Sequence, residues 1–307
     1  LGSYIEDVLY SIYKDKKINV SADTVSDFNP VNGLAYIPHD NTDRNRTSPL
    51  AFTGNKFEFR MLGSSMSASF ANTVLNTIMA ESLNDIADQL EGIKYLADIR
   101  DKALEICKKI IHDHKRILFS GDGYSDEWVK EAKRRGLPNV KSYIEATEIL
   151  KDPSVVHLFT STGVYSEKEL HANRNIMAEQ YDRMMDIEVR TLIEMGRKDV
   201  LPAMSAEYDF YAEAASKSNA KSPKFFEKRM EQLSELIDNT YAATERMTML
   251  WKEANEAGDD FACGKKIYET VVPAMAELRK YIDRYEEIAS RNFYKLPLYE
   301  EMLFDFD

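Results

Sequence analysis

An apolar stripe of helical spacing runs almost unbroken through the last third of the chain and restricts it more than any other feature. Phe226, Met230, Leu233, Ile237, Tyr241, Thr244, Met247, Trp251 and Ala254 step by three or four residues, which places them on one face of an α-helix. Ser222-Pro223 opens the segment, with proline at the first helical position where its missing N–H is no loss, and Gly258 closes it. A second stripe follows directly: Phe261, Tyr268, Val271, Met275, Leu278, Ile282, Tyr285 and Ala289. Two such stripes joined by a short turn pack as antiparallel helices, each covering the other's apolar face.

Helical spacing also governs most of what precedes them. Tyr95 to Arg116 is one segment, and Ser125 to Arg135 another, stopped by Gly136-Leu137-Pro138. Ser142 with Glu145, and Ser166 with Glu169, match the S-x-x-E capping box, in which two side chains satisfy free N–H groups at a helix start. The segment from Ser166 runs to Leu201, where Pro202 is expected to break or kink it. Ser3 to Lys14 reads as a helix through Ile5, Val8, Leu9 and Ile12, and a further helix carries Phe70, Val74, Leu75, Ile78, Met79, Leu83, Ile86 and Leu90.

Two stretches are different. From Asn19 to Pro49 there is no periodicity, and five asparagines with turns around Pro30 and Pro38 mark a long loop, of a length usually tied to function. Leu50 to Met61 reads as two strands around Gly54-Asn55, because Phe57 and Phe59 alternate with Lys56, Glu58 and Arg60. The expected class is therefore α+β: a few antiparallel strands followed by a mainly α-helical region with long antiparallel helices.

Charge and composition narrow the partners. Lys plus Arg total 40 against 52 Asp plus Glu, a net charge of −12, which argues against nucleic acid or an anionic membrane surface. No apolar run reaches the roughly 18 residues of a membrane span, and the start lacks a signal-peptide pattern. Cys107 and Cys263 both fall inside helical patterns, so the expected compartment is the reducing cytoplasm. A chain beginning at Leu1 is expected to be a processed product or a fragment.

The chemistry concentrates near the strands. Lys56, Glu58 and Arg60 share one side of a strand whose other side is aromatic. A solvated row would be an ordinary polar strand face. A buried one would suit a metal-ligating carboxylate between two cations that bind an anion such as phosphate or carboxylate. Spacing alone leaves both open. Elsewhere the bland readings prevail. His112 and His114 point different ways from a helix end, and Ser120 to Asp126 fits neither a calcium loop nor a phosphate loop and reads as a turn between helices. Lys133-Arg134-Arg135 complements a helix dipole, the methionines of the long helices are packing filler, and the acidic tail Glu300 to Asp307 docks on a neighbour or frays.

Three blocks in order, Asn45-Arg46-Thr47-Ser48-Pro49, Asn55-Lys56-Phe57-Glu58-Phe59-Arg60 and Ala71-Asn72-Thr73-Val74-Leu75-Asn76-Thr77, resemble the end of the catalytic domain of type III glutamine synthetases. The stretches His114 to Ile117, Gly121 to Trp128 and Glu131 to Asn139 resemble the helical C-terminal region of that type. The resemblance implies two parts, residues 1–90 from the catalytic domain and 91–307 from the helical region. It implies an ATP-dependent glutamate–ammonia ligase working through γ-glutamyl phosphate, with Mg²⁺ or Mn²⁺, in the cytoplasm, as a double-ring homo-oligomer. Its partners would be glutamate, ammonia and ATP, with no nucleic acid and no membrane.

By the same resemblance Glu58 is a metal ligand and Arg60 contacts glutamate and its phosphorylated intermediate. Arg46 stabilises the phosphoryl group and, with Lys56, belongs to the nucleotide contacts. The physics is compatible, since phosphoryl transfer is mainly positioning and charge neutralisation. The family's earlier paired glutamates, its His-Asn-Gly segment, its Asn-Glu-Ala-Pro flap and its β-grasp domain have no counterpart here. One glutamate does not hold an octahedral Mg²⁺, so the chain alone is expected not to make glutamine. The rival expectations are a helical scaffold without catalysis and a related amine ligase on the same fold.

Overall fold

The computed structural model describes residues 3–16, 50–52, 57–60, 66–119, 122–218 and 223–304. The long loop expected over Asn19–Pro49 lies outside them. Backbone packing divides the chain into two units, Leu1–Asn139 with His157–Val164, and Val140–Val156 with Tyr165–Asp307. The boundary after residue 90 that the resemblance implies rests on sequence rather than packing and falls inside the first unit.

In the first unit, α1 (Ser3–Tyr13) packs on α3 (Leu96–His114). Tyr13 stacks on His112 with ring centroids 6.0 Å apart, and Lys108 pairs with Asp15. Between them come the strands β1 (Leu50–Phe52) and β2 (Phe57–Phe59), then α2 (Ser69–Leu90), which also packs on α3. The strands form an antiparallel hairpin with Leu50 opposite Phe59, Ala51 opposite Glu58 and Phe52 opposite Phe57. This is the expected pairing, although the turn at residues 53–56 is not among the described residues. A 3₁₀ turn (Lys115–Ile117) ends α3, and α4 (Asp126–Arg134) begins at Ser125, whose hydroxyl accepts the Trp128 N–H at 3.2 Å. Gly136, at φ +70°, turns the chain out of α4 where a side chain would be strained.

The second unit is built on long helices. It contains α5 (Tyr143–Thr147) and a 3₁₀ turn (Glu148–Lys151), and α6 (Pro153–Ser161) straddles the division. There follow α7 (Glu167–Met195), α8 (Leu201–Ser216), α9 (Lys224–Asn255), α10 (Asp260–Lys266), α11 (Val272–Glu286) and α12 (Tyr299–Phe304). Helix α9 packs against α8 and α11, so the two long stripes do meet. Val189, Met204, Leu233, Met247, Val271 and Leu278 are fully buried in the common core. At the start of α7 the capping box is complete: Glu169 N–H donates to Ser166 Oγ at 3.3 Å, and Ser166 N–H donates back to Glu169 Oε2 at 2.7 Å. Ser142 caps α5 by accepting the Glu145 N–H at 3.4 Å.

Pro202 does not end its helix. A wide π-turn, Gly196–Val200, joins α7 to α8, and the Leu201 N–H reaches back five residues to the Gly196 carbonyl. The widened turn shifts the hydrogen-bond ladder just ahead of the proline, which has no N–H to contribute. Gly196 permits close packing there, since a Cβ would stand 3.3 Å from Thr244 Oγ1. The same arrangement recurs between α10 and α11, where the π-turn Ile267–Val271 precedes Pro273 and the Val272 N–H bonds to the Ile267 carbonyl.

Among the described residues, β structure is confined to one hairpin of three residues per strand. The described residues are thus mainly α-helical, as expected after the strands, and of the few strands of the α+β expectation they hold this one hairpin. No described helix is long and apolar enough to cross a membrane.

Candidate functional site

Glu58 lies on β2 and Arg60 directly follows its last residue, and extended spacing two positions apart sends both to one face. Arg60 Nη2 donates to Glu58 Oε2 at 2.7 Å. Their side chains keep 39% and 21% of their full exposure, while Phe57 and Phe59 on the opposite face are 58% and 38% exposed. Arg60 is therefore the most sheltered of the four, unlike a strand that turns its aromatics inward and its charges to water. A half-sheltered charge-assisted pair of this kind presents both signs, a guanidinium able to grip an anion and a carboxylate able to bind a cation. Arg46 and Lys56, the other two expected site residues, lie outside the described residues.

A divalent metal needs more than Glu58. Its carboxylate is already engaged by Arg60, and among the described residues no group of three His, Cys, Asp or Glu side chains could hold a metal ion. The described residues do not by themselves fit Mg²⁺ or Mn²⁺, which favour several oxygen ligands.

The turn before α4 behaves as expected from its sequence. Asp122 accepts the Tyr124 N–H at 2.8 Å, an Asx turn that leads into the Ser125 cap. Phe119 stacks on Trp128 at 3.7 Å, and the Arg135 guanidinium lies 5.4 Å from the indole on which it rests. Arg135 also donates to the carbonyls of Arg116 at 3.3 Å and Leu118 at 2.8 Å, tying α4 to the end of α3. Arg134 and Arg135 both bind Glu131, and these hydrogen bonds hold its carboxyl down at about 2. The basic triplet thus has a local structural use beyond the helix dipole. His112 pairs with Asp113 at 2.9 Å, so the His-x-His pair is a helix-end feature.

Two buried charged clusters in the second unit were not singled out from the sequence. Glu207, fully buried on α8, accepts from the Tyr285 hydroxyl at 3.1 Å and from the Ser290 N–H at 3.3 Å. Arg229 on α9 approaches it, Nε to Oε1 3.7 Å, while donating to the Ile288 carbonyl. Burial, and then Glu207, push the Tyr285 hydroxyl upward, so it keeps its proton and donates. Arg174 on α7 pairs with Glu148 and covers the Phe261 ring at 4.5 Å. The legible signal was position. Arg174 sits four residues from both Leu170 and Ala178, and Glu207 four from Ala203, so both charges occupy the buried stripe of their helices. These contacts fasten helices and the segment after α11 rather than form an open site.

A third group lies where α10 packs on α7. Asp182 is half-buried against Cys263, and burial, only partly opposed by the thiol hydrogen bond, raises its carboxyl to about 6. Burial and Asp182 in turn push the Cys263 thiol up to about 12. Gly264 is required there, since a Cβ would stand 2.7 Å from Asp182 Oδ1 and 3.0 Å from Ile144 Cδ1.

Residues 102–218 match the sequence profile of the glutamine synthetase C-terminal domain. Over 99% of its length the chain is 32% identical to the type-3 glutamine synthetase of Dictyostelium discoideum, covering 42% of that protein. It is 34% identical over 86% of its length to a glutamine synthetase of Butyrivibrio fibrisolvens, and 32% identical over 89% to one of Bacteroides fragilis. These alignments cover 38% and 39% of the two bacterial proteins, so the chain spans about two fifths of the length of the curated relatives it matches.

Proposed function

We propose, from the premise that this chain belongs to the glutamine synthetase family, that it supplies part of the active site of an ATP-dependent glutamate–ammonia ligase. The observation that carries the reading is the Glu58–Arg60 pair, held at 2.7 Å at the end of β2 with the Arg60 side chain only 21% exposed. In this role Arg60 grips the carboxylate that becomes phosphorylated, and its fixed positive charge balances charge that develops there. Glu58 orients that guanidinium and offers one carboxylate to the divalent cation, Mg²⁺ or Mn²⁺, whose remaining ligands lie outside the described residues. Arg46 and Lys56 are assigned to the ATP phosphates, and ammonia is the second substrate. A cytoplasmic double-ring homo-oligomer belongs to the same proposal.

The reading is tested by fusing the chain to the part of the Bacteroides fragilis relative outside the aligned stretch and measuring ATP-dependent glutamine formation. The chain alone is expected to form none, and the fusion to be active. Glu58→Ala and Arg60→Ala are each expected to lower turnover by at least ~100-fold with the helical circular dichroism unchanged. Activity within about threefold of the parent fusion in Glu58→Ala would remove the pair from the mechanism.

One observation favours a second reading: Glu58 and Arg60 satisfy each other without any ligand, as in a helical scaffold that lacks catalysis. A folded fusion inert toward ammonia and every other amine supports the scaffold. Turnover with a different amine supports a related ligase.

A further inference from the structure

We infer that the cavity between the start of α8 and the segment after α11 binds a small zwitterion, a molecule with one ammonium and one carboxylate on an apolar body. The cavity measures about 580 Å³, within the roughly 300–1,000 Å³ of small-molecule sites. Helix α8 makes the room: Pro202, Ala203 and Ala206 line the cavity from one side of the helix and all three are small. The opposite wall is fixed in place. The Phe293 and Tyr294 N–H groups both donate to the Ser290 carbonyl at 3.0 Å, and the Ser290 N–H is itself held by buried Glu207. Tyr294 is buried and meets Tyr285 edge to face, with ring centroids 5.5 Å apart. Both walls are thus anchored in the core, and a ligand has no loop to order when it enters.

The charges of the lining select the ligand. Lys198 and Asp199 reach the cavity from the π-turn, and Lys295 from the facing segment. Lys198 is already engaged by Glu194. Asp199 and Lys295 line the same cavity, yet neither makes an ion pair among the described residues. Unpaired charges on an open surface are ordinary, but these two share a walled space with an apolar floor. With Lys198 balanced by Glu194, the lining offers one free charge of each sign. A simple anion is drawn by Lys295 and repelled by Asp199, and a simple cation meets the reverse. A zwitterion satisfies both, its ammonium on Asp199 and its carboxylate on Lys295. The Asn292 amide adds a donor and an acceptor, and Leu296 with the small residues of α8 covers the apolar body. Both an α-amino acid and an ω-amino acid have this chemistry. The inference is independent of the ligase reading, because none of these residues is assigned to that reaction.

The test titrates the full chain with L-leucine and with ε-aminocaproate, followed by ligand-observed NMR. Isopentylamine, which lacks the carboxylate of L-leucine, and isocaproate, which lacks its ammonium, serve as one-charge analogues. The better zwitterion is expected to bind at least ~10-fold more tightly than either analogue. A preference for L-leucine assigns the site to α-amino acids, and a preference for ε-aminocaproate to ω-amino acids. Asp199→Asn should weaken the zwitterion at least ~10-fold without weakening isocaproate, and Lys295→Gln should do so without weakening isopentylamine. Ala206→Phe fills the cavity, touches neither charge and should abolish binding. All three positions are exposed, so the helical circular dichroism should stay unchanged in each variant. Failure of both zwitterions to bind at about 10 mM overturns the inference. So does an analogue that binds as tightly as the better zwitterion, and so does binding that survives Ala206→Phe or both charge variants.

Discussion

Asp182 gives the second unit a stability that falls as the pH rises. Its carboxyl is raised from the ordinary 3.8 to about 6, first by burial at the α7–α10 contact, while Asp260 and Asp259 add repulsion and the Cys263 thiol relieves part of the cost. The folded state therefore holds this proton more tightly than the unfolded chain does. Below about pH 4 the group is neutral in both states and its contribution is fully present, and it is lost as the pH climbs through about 6. The full shift corresponds to at most ~3 kcal/mol, and because the side chain is only half-buried, screening leaves about 1–2 kcal/mol. Asp182→Asn removes the titration while keeping the shape. Urea unfolding of both proteins, followed by circular dichroism from about pH 4 to about pH 7, should give curves that diverge, the parent losing about 1–2 kcal/mol relative to the variant across that range. Parallel curves, or a parent that gains on the variant as the pH rises, would show that Asp182 is not desolvated as described.

Three further outcomes follow from named contacts. Gly264→Ala places a methyl 2.7 Å from Asp182 Oδ1 and should cost about 1–3 kcal/mol in denaturant unfolding, despite the better helix propensity of alanine. Glu207→Leu leaves Arg229 buried beside an apolar group and should cost ~3–5 kcal/mol, and adding Arg229→Met should recover most of it, with amide exchange at residues 288–290 reporting the loosened segment. Ser166→Ala removes one half of the capping box on α7 and should cost about 1 kcal/mol in the same assay.

Periodicity made the helices legible. The stripes from Phe226 to Ala254 and from Phe261 to Ala289 became α9, α10 and α11, because a face apolar every three or four residues has one efficient way to leave water. The caps at Ser142 and Ser166 were equally readable, since their hydroxyls have a partner three residues on, although the glutamate closes the box only at Ser166. Which apolar face would be covered was not legible. The row at Ile78, Met79 and Leu83 has the spacing of a core stripe and stays exposed, because periodicity reports a face and not its partner. At the candidate site the alternation of residues 56–60 placed Glu58 and Arg60 together, yet it left open which side of the strand would be sheltered. Glu207 and Arg229 escaped notice because their pairing joins positions far apart in the sequence, and because Glu207 lies on α8, beyond the point at which the helical segment was expected to stop.

Pro202 was expected to break or kink its helix, and the structure meets it with a wide turn that differs from an α-helical one by a single residue. In the π-turn Gly196–Val200 the Leu201 N–H spans five residues instead of four, so the turn holds one residue more than an α-helical turn. Gly196 and Val200 are buried, while Arg197, Lys198 and Asp199 between them are exposed. Deleting Asp199 would shorten the turn to α-helical length and keep Gly196 and Val200 on one face, three residues apart. It would also leave Pro202 inside a regular helix, where the ring meets the carbonyl four residues back and a hydrogen bond is lost, at about 3 kcal/mol. The deletion alone should therefore destabilise the second unit by about that amount, and the deletion combined with Pro202→Ala should restore most of it. Pro202→Ala by itself should change stability by less than ~1 kcal/mol, because closing the turn without removing a residue would rotate Ala203, Met204 and Glu207 out of the core. Denaturant unfolding of the three variants decides the matter. A deletion that is tolerated with the proline in place would mean that the wide turn serves something other than the proline, and the matching turn before Pro273 would then need the same revision.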